Sequence, residues 1–528
     1  MLKRHHLAII FLIFIFILII STYKDYGVPW DEKVFFNTGK YFVVKLFNYL
    51  KIPTNLSTGA FEPTPYHLKG HGVFMDMLTV FAALLFRNFN FETLHLIRAL
   101  FALPIFFLLY WIISKLFSKV YGLISLVFLL LFPRFYPEIY YNAVDIPTTL
   151  LFTICLAYFI YYAGTKQTFL KSILFGLILG ITINQRLLLF YLPIINFVFL
   201  LFLKRRNIKQ LTIQQLTIFL STIFFMHLTH PYLLTHPITG LFKIISHSKQ
   251  YPWNAAVLFE GKFFSNLTIP LPWYYLPKTM LITIPLTTIV LFFLGNIKIL
   301  TNLVRPHQIG SDSQKKWMML YLVSIFYLPL ILVFILKPTL YDSWRQFLFL
   351  TIPLIIITMF GLSHLFSLKF RVWKFGFVWR LVIGLLVIIS LAITAFEMIT
   401  LHPYQYLYSN SLVGGLKGAY INYETDYWGL GFKEAAIWFN HYLNNPTRQY
   451  KIYLEGDPLS SLYYLKPNVK LITDPNEADY VLTFTRWDFD KRHLGKTIHV
   501  VKKKGVPLIY IKEGGEYIEE LETRKDSK

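Results

Sequence analysis

The stretch from residue 97 to residue 147, IRALFALPIFFLLYWIISKLFSKVYGLISLVFLLLFPRFYPEIYYNAVDIP, decides the fold. It contains most of two apolar runs, near 94–117 and 120–136, and each run is long enough to cross a bilayer as a helix. The second run ends in a loop that carries Arg134, Glu138 and Asp145. Apolar runs of this length, followed by a charged loop, predict a helical membrane protein with polar groups at the mouth of its spans.

The composition of the whole chain agrees with this class. Of the 528 residues, 55% are hydrophobic and only 15% are charged, which is too apolar for an ordinary soluble enzyme. The net charge of +23 comes from Lys and Arg residues scattered in short loops, so we interpret them as orientation signals and anionic-lipid contacts. We therefore expect no nucleic-acid partner. The single cysteine, Cys155, lies in an apolar run and is expected to be a buried, inert thiol.

About eleven spans are predicted in the first 400 residues. The first, 7–22, follows Lys3 and Arg4 and has no small-residue cleavage site behind it, so we expect an uncleaved helix with a cytoplasmic N-terminus. The other ten lie near 94–117, 120–136, 146–163, 168–185, 187–203, 212–228, 278–297, 317–336, 346–367 and 378–399.

The run at 73–86 is shorter, contains Asp76 and is followed by Arg87. If it spanned the membrane, the basic stretches 204–209 and 368–380 would both lie outside, against the positive-inside tendency. We therefore predict that 73–86 and 40–50 are amphipathic helices on the outer surface of the plasma (inner) membrane. With about eleven spans and a cytoplasmic N-terminus, the extracytoplasmic segments are 23–93, 137–145, 229–277, 337–345 and everything after about 400.

The composition changes after residue 400. The segment GFKEAAIWFNHYLNN (431–445) has helical spacing, and four later segments have the pattern of strands separated by turns. These are KIYLEG (451–456), VKLIT (469–473), DYVLTFTRW (479–487) and IHVVKKKGVPLIYIK (498–512). We predict a transmembrane domain over 1–400 and a small extracytoplasmic α/β domain over 401–528.

Charged residues near the outer face form the candidate site. They are Asp31 and Glu32 in the first loop, Arg134, Glu138 and Asp145 in the second, Arg345 in a third, and Arg186 between two runs. Some of them have a structural alternative: Asp31-Glu32 and Asp145 could cap the helices that follow them, and Arg345 could anchor a span beside Trp344. Together they place carboxylates and arginines from separate loops at one membrane face.

This combination suits a reaction on a membrane-embedded, anionic substrate. A carboxylate can accept the proton of an attacking hydroxyl, and arginines can stabilise phosphate oxygens. The sequence has no Walker-type phosphate loop and no dinucleotide glycine fingerprint, so nothing in it points to ATP. His227, His230 and His236 have no companion Cys or HExxH motif, so interfacial histidines are favoured over a metal site. A divalent cation as cofactor remains open.

The order of these features resembles the polytopic GT-C glycosyltransferases. An apolar first helix, an exterior Asp-Glu pair, surface helices and then residues 97–147 are similar to the bacterial family 39 group, with its protein O-mannosyltransferase-like and aminoarabinose-transferase-like members. The resemblance covers roughly residues 5–400, and it is most specific at Asp31-Glu32 and from Arg134 to Asp145. The segment 401–440 also looks like one found in bacterial members of this group.

The resemblance implies a fold and an activity. Such enzymes transfer a sugar from a polyprenyl-phosphate carrier to an acceptor on the outer face, generally with inversion. The first-loop acid, matched by Asp31, would be the base or would orient the acceptor, and Arg345 and Arg134 would hold the lipid phosphate. Glu32 is expected to point elsewhere, toward the acceptor or a neighbouring base such as Arg134. Expected partners are the polyprenyl-phosphate sugar donor, membrane lipids and a glycan, lipid or protein acceptor.

Two other functions remain open from the sequence. A lipid-linked saccharide transporter or assembly scaffold would share the spans and the basic loops, but it should carry polar residues through the membrane midplane. A surface-polysaccharide ligase or polymerase would use a lipid-diphosphate donor instead. The candidate charges lie near the outer face, which favours the transferase.

Overall fold

A computed structural model describes residues 5–203, 208–249, 251, 253, 255–265, 269–304, 313–368 and 373–518. The helices are α1 (His6–Thr22), α2 (Glu32–Tyr49), α3 (Pro65–Gly70), α4 (Phe74–Phe86), α5 (Phe91–Leu116), α6 (Lys119–Leu130), α7 (Glu138–Tyr141), α8 (Asp145–Gly164), α9 (Phe169–Gln185), α10 (Tyr191–Leu203), α11 (Ile208–Leu228), α12 (Pro231–Thr235), α13 (Thr239–Lys249), α14 (Tyr275–Thr283), α15 (Leu286–Val304), α16 (Ser313–Leu336), α17 (Thr351–Ser367), α18 (Trp373–Leu401), α19 (Gly415–Ala419), α20 (Phe432–Tyr442), α21 (Leu459–Leu462) and α22 (Phe489–Arg492). The strands are β1 (Val257–Phe259), β2 (Lys262–Phe264), β3 (Tyr450–Leu454), β4 (Val469–Leu471), β5 (Tyr480–Phe484), β6 (Thr497–Lys503) and β7 (Val506–Glu513).

The predicted spans correspond to helices of the structure. Within the described part of the chain, seven helices are long and apolar enough to cross a membrane: α5, α8, α11, α15, α16, α17 with the 3₁₀ segment Arg345–Leu350 before it, and α18. The remaining four predicted spans coincide with the shorter apolar helices α1, α6, α9 and α10, the last preceded by the 3₁₀ turn Leu187–Phe190. The chain is therefore a polytopic helical membrane protein.

Three predicted boundaries are wrong, each for a local reason. The span predicted at 278–297 is divided: α14 ends at Thr283 and α15 begins at Leu286, because Pro285 forces the residue before it into an extended conformation. The run at 120–136 stops being helical after Leu130, ahead of Pro133. The surface helix predicted at 40–50 begins at Glu32, so α2 starts directly behind Asp31.

Helices α2 and α4, the two predicted surface helices, pack on each other and on the start of α5. Phe36 of α2, Val80 of α4 and Leu94 of α5 are buried in one hydrophobic cluster. A Cβ at Gly39 would lie 2.5 Å from the carbonyl oxygen of Asp76, so glycine lets the two helices approach at this point. This cluster fixes the direction in which α2 leaves the first loop.

Close packing between spans also depends on glycine. Gly295 of α15 and Gly361 of α17 face each other, and a Cβ on either would overlap a backbone carbonyl of the opposite helix. Small residues at such contacts let membrane helices gain dispersion energy from close backbone approach, which replaces the hydrophobic drive that is absent in lipid. Helix α17 is held in this way near the centre of the molecule, and the segment that precedes it carries Arg345.

The C-terminal region forms a five-stranded mixed sheet in the order β4-β3-β5-β7-β6. Strand β3 is parallel to β4 and β5, and β7 is antiparallel to β5 and β6. Helix α20 covers the sheet with Phe439, which contacts the rings of Tyr450 and Tyr480. The helix and the strands predicted from this part of the sequence are all present.

The sheet region packs directly on the loops of the membrane part. The Trp30 indole N–H donates to the carbonyl oxygen of Tyr427 at 2.8 Å, and a Cβ at Gly27 would lie 2.5 Å from the carbonyl oxygen of Leu430. The Trp487 indole N–H donates to the carbonyl oxygen of Ala256 at 2.6 Å. The first loop is therefore held between the spans and the sheet.

Candidate active site

A cavity of about 670 Å³ lies where the candidate charges meet the spans. Its apolar wall comes from the turn before α10, from α10 and α16, and from the segment before α17: Leu187, Leu188, Phe190, Tyr191, Ile194, Leu328, Leu332, Val333, Leu336 and Phe347. Its polar end contains Asp31, Arg186 and Arg345, and its other polar lining residues include His67, His71, His247, Tyr251 and Tyr341. The cavity is thus apolar over most of its length and charged at one end.

Arg345 is the centre of the polar end. Its guanidinium is almost buried, and its Nε and Nη2 each lie 3.0 Å from Oδ2 of Asp342. Two further carboxylates face it at longer range, with Asp145 Oδ2 3.6 Å from Nη1 and Asp31 Oδ2 3.8 Å from Nη2. The ring of Trp428 lies 4.5 Å from the guanidinium carbon. A buried guanidinium needs such partners. The contacts with Asp145 and Asp31 are longer than hydrogen bonds, so the Arg345 N–H groups on those sides do not donate to these two carboxylates.

Asp145 begins α8, but its carboxylate does not cap the helix. Asn142 does so: its Oδ1 accepts from the backbone N–H groups of Val144 and Asp145 at 3.1 and 2.8 Å. The Asp145 carboxylate instead pairs with Arg186 and accepts from Asn142 Nδ2 at 3.0 Å. This geometry favours a place in the charge cluster over the capping alternative.

Asp31 precedes α2 and makes no side-chain cap hydrogen bond to it. Its carboxylate is half-exposed and lines the cavity, whereas those of Asp145 and Asp342 are buried. Enclosure by protein raises the pKa of the Asp31 carboxyl, and the neighbouring Arg345 opposes that shift. Of these three carboxylates, Asp31 is the one that a substrate in the cavity can reach.

Glu32 points away from the cavity. It is buried beneath α2, where it pairs with Arg98 and lies 2.9 Å from His95 Nε2. Glu32 thus points toward a neighbouring base, as expected, but that base is Arg98 and not Arg134. Adjacent residues at a helix start point in different directions, so Asp31 and Glu32 fall into separate environments, one in the cavity and one in the packing between α2 and α5.

Arg134 and Glu138 form a layer behind Asp145 and do not line the cavity. Arg134 Nη1 donates to the Tyr427 hydroxyl at 3.1 Å, and that hydroxyl donates to Glu138 Oε1 at 3.2 Å. Burial, together with the charge of Asp145, raises the pKa of Glu138 to about 7. These two residues connect the second loop to the C-terminal region through Tyr427.

Three members of the cluster were not predicted from the sequence. Asn142 lies in the second loop, Asp342 lies three residues before Arg345, and Arg486 follows β5 in the sheet region. The pair Asp342–Arg345 has an i, i+3 spacing in YDSWR that offered a signal. No local pattern marks Arg486, which is 144 residues from its partner Asp342.

Two of the three histidines noted in the sequence have ordinary partners, whereas Nδ1 of the third, His230, is buried without a hydrogen bond. His227 contacts the backbone carbonyls of Ile223 and Pro237 at 2.8 and 2.9 Å, and His236 stacks on Tyr232. Among the described residues, no three His, Cys, Asp or Glu side chains are grouped to hold a metal ion. At the cavity, Asp31, Asp145 and Asp342 converge on Arg345, and two of these carboxylates also pair with Arg186 and Arg486.

Comparison with known proteins agrees with this architecture. Residues 71–230 match the family model of the dolichyl-phosphate-mannose-protein mannosyltransferases. A search of curated protein sequences found no match. The structure of ArnT from Cupriavidus metallidurans bound to undecaprenyl phosphate superimposes with a TM-score of 0.50 at 11% identity, covering 95% of this chain and 97% of that one.

Two further structures are similar. The apo state of the same ArnT gives a TM-score of 0.47 at 10% identity, over 96% of this chain and 98% of that one. The apo oligosaccharyltransferase of Archaeoglobus fulgidus gives 0.49 at 12% identity, over 91% and 70%. Residues 71–230 are therefore similar to the mannosyltransferase family, and the whole chain shares the fold of ArnT, so the predicted resemblance to the GT-C glycosyltransferases is confirmed.

Proposed function

We propose that this enzyme transfers a sugar from a polyprenyl-phosphate donor to an acceptor hydroxyl on the extracytoplasmic face of the plasma membrane. The observation that carries the proposal is the position of Arg345, at the junction between an apolar cavity and a cluster of carboxylates. An isoprenoid chain needs an apolar channel, and its phosphate needs a cation at the end of that channel. The cavity offers both.

The lipid chain would lie along α10 and α16, whose cavity faces are apolar. Tyr191 and Leu332 line this wall, and the Tyr191 hydroxyl joins the two helices by donating to the carbonyl oxygen of Ile325 at 3.2 Å. The phosphate would meet Arg345 and the partly exposed Arg186, since guanidinium groups bind phosphate oxygens through paired N–H donors. The ArnT of the same fold was crystallised with undecaprenyl phosphate, which supports this class of lipid.

Asp31 would act as the general base. The acceptor oxygen forms a bond to the anomeric carbon while the bond from that carbon to the phosphate oxygen breaks. The hydroxyl proton passes to Asp31, and the electron pair of the broken bond leaves with the polyprenyl phosphate. Attack opposite the leaving group inverts the anomeric centre. A phosphate needs no proton in order to leave, so one carboxylate suffices, unlike the pair used by a glycoside hydrolase.

Arginine supplies the charge stabilisation in this scheme. Arg345 N–H groups that are 3.6 and 3.8 Å from Asp145 and Asp31 make no full hydrogen bonds with those carboxylates, so they can turn to the phosphate as its charge develops. Asp342 and Asp145 orient the guanidiniums. They also keep the buried charge balanced before the donor binds.

Blocking the apolar wall tests the lipid-binding part of the proposal. Leu332→Trp adds bulk inside the cavity and should raise the donor KM at least tenfold for a long-chain polyprenyl-phosphate sugar. A water-soluble short-chain analogue should be affected less. Ile335→Trp, at a 68% exposed position on the same helix, is the matched control and should behave as wild type. Equal effects on long-chain and short-chain donors, or no effect on either, would show that the lipid chain does not bind in this cavity.

A further inference from the structure

Arg486 brings a buried positive charge from the C-terminal sheet into the carboxylate cluster. It lies in the turn after β5 and is 8% exposed. Its guanidinium carbon lies 4.4 Å from the Trp487 ring and 5.4 Å from the Trp30 ring, and its Nη1 donates to the carbonyl oxygen of Tyr427 at 2.8 Å. Two indole rings and a carbonyl thus fix the direction in which this guanidinium points.

The charge partners of Arg486 are Asp342 and Glu424. Its Nη2 pairs with Oδ1 of Asp342 and lies 3.2 Å from Oε1 of Glu424. The other oxygen of Asp342 accepts from Arg345 Nε at 3.0 Å. One carboxylate therefore bridges two guanidiniums, one from the sheet and one from the spans. The order of contact is Arg486, Asp342, Arg345.

The turn that carries Asp342 is strained. Asp342 and Ser343 both have left-handed backbone conformations, with φ of 53° and 63°, which non-glycine residues rarely adopt. The turn is held by the Ser343 N–H, which donates to the Tyr275 hydroxyl at 2.9 Å, and by Arg486 on the Asp342 side chain. Strain of this kind persists only where the surrounding contacts over-determine the conformation.

We propose that Arg486 is a positioning residue that acts through Asp342 to orient Arg345 toward the donor phosphate, so that the C-terminal sheet completes the phosphate site. This inference rests on the proposed function of Arg345. Without Arg486 the strained turn loses a restraint, and Asp342 no longer holds the Arg345 side chain in one direction. The sheet region then contributes to phosphate binding in addition to packing on the outer loops.

The test measures binding of undecaprenyl phosphate to the purified full-length protein, with thermal unfolding as the check on folding. Arg486→Gln should weaken binding about ten- to a hundredfold, the range expected for loss of a buried charge-assisted hydrogen bond. Arg448→Gln removes an exposed ion pair with Asp479 in the same sheet region, so it is the matched control and should bind as wild type. Arg345→Ala is measured alongside, because this variant should lose binding if Arg345 holds the phosphate.

A double-mutant cycle distinguishes positioning from simple anchoring of the sheet. If Arg486 acts through Asp342, adding Arg486→Gln to Asp342→Asn should weaken binding by less than about threefold more, because the contact is already broken. Fully additive effects would overturn the inference. If Arg486→Gln does not fold, Arg486→Lys replaces it. Lysine keeps the charge but cannot bridge Asp342, Glu424 and the Tyr427 carbonyl, so binding should still weaken severalfold.

The inference and the proposed function can fail separately. If Arg345→Ala weakens binding while Arg486→Gln and Arg486→Lys bind as wild type, Arg486 has no positioning role, yet the phosphate site stands. If Arg345→Ala also binds as wild type, the phosphate site is elsewhere and both fall.

Discussion

Replacing Asp31 with Asn should abolish most turnover while leaving the protein folded. The change keeps the size and shape of the side chain and removes its negative charge and its basicity. Asp31 makes no side-chain cap bond to α2, and its carboxylate is half-exposed and 3.8 Å from Arg345. A contact of that kind contributes on the order of 0–1 kcal/mol, so thermal unfolding should shift little.

The expected loss in rate is far larger than the loss in stability. A general base contributes about a hundred- to ten-thousandfold, which corresponds to roughly 3–5.5 kcal/mol in the activation free energy. Because enclosure raises the pKa of Asp31, wild-type kcat should fall on the acidic side at a pH above the usual range of an aspartate. The residual activity of Asp31→Asn should lack that acidic limb.

Single-turnover transfer from bound donor is the assay, since it separates chemistry from donor binding and product release. Asp25→Asn is the matched control: Asp25 belongs to the same first loop and pairs with His402 at 2.8 Å. It should retain wild-type turnover. An Asp31→Asn enzyme that turns over near the wild-type rate, with the acidic limb intact, would refute the assignment of Asp31 as base.

Two further predictions concern the second loop and the membrane orientation. Because the pKa of Glu138 is raised from 4.5 to about 7, the folded state binds an extra proton between these pH values, and the free energy of unfolding should fall as the pH rises through this window. Glu138→Gln should remove that loss, so denaturation in detergent should show a free energy of unfolding higher than wild type by at most about 3 kcal/mol above pH 7 and unchanged at pH 4.5. An equal increase at both pH values would contradict this prediction. A reporter fused to the C-terminus should be extracytoplasmic and one inserted between α10 and α11 cytoplasmic, and a cytoplasmic C-terminus would overturn the predicted span count.

Much of the membrane architecture could be predicted because it depends on local composition. A run of about twenty apolar residues has few alternatives to a spanning helix, so α5, α8 and α16 follow from the sequence alone. Helix ends depend on single residues instead. Pro285 divided one predicted span, and α2 extended back to Glu32, whose carboxylate contacts Arg98 and His95 of α5.

The candidate site was predictable only in part. Asp31, Asp145 and Arg345 could be singled out, since a charge beside an apolar run is conspicuous and expensive to bury without a partner. Their pairing could not be predicted, because it depends on how separate loops are brought together. Asp31 and Glu32 are adjacent in the chain and face different partners, and Arg486 reaches Asp342 across 144 residues through the docking of the sheet.

The chemical class of the donor decides between the transferase and its alternatives, and a donor screen with purified enzyme measures it. Radiolabelled sugars would be supplied as polyprenyl-monophosphate, polyprenyl-diphosphate and nucleotide-linked donors, with a membrane extract as the source of acceptors. We expect transfer from a polyprenyl-monophosphate sugar, abolished by Asp31→Asn and retained by Asp25→Asn. Transfer from a diphosphate-linked or nucleotide-linked donor, with none from the monophosphate, would contradict it.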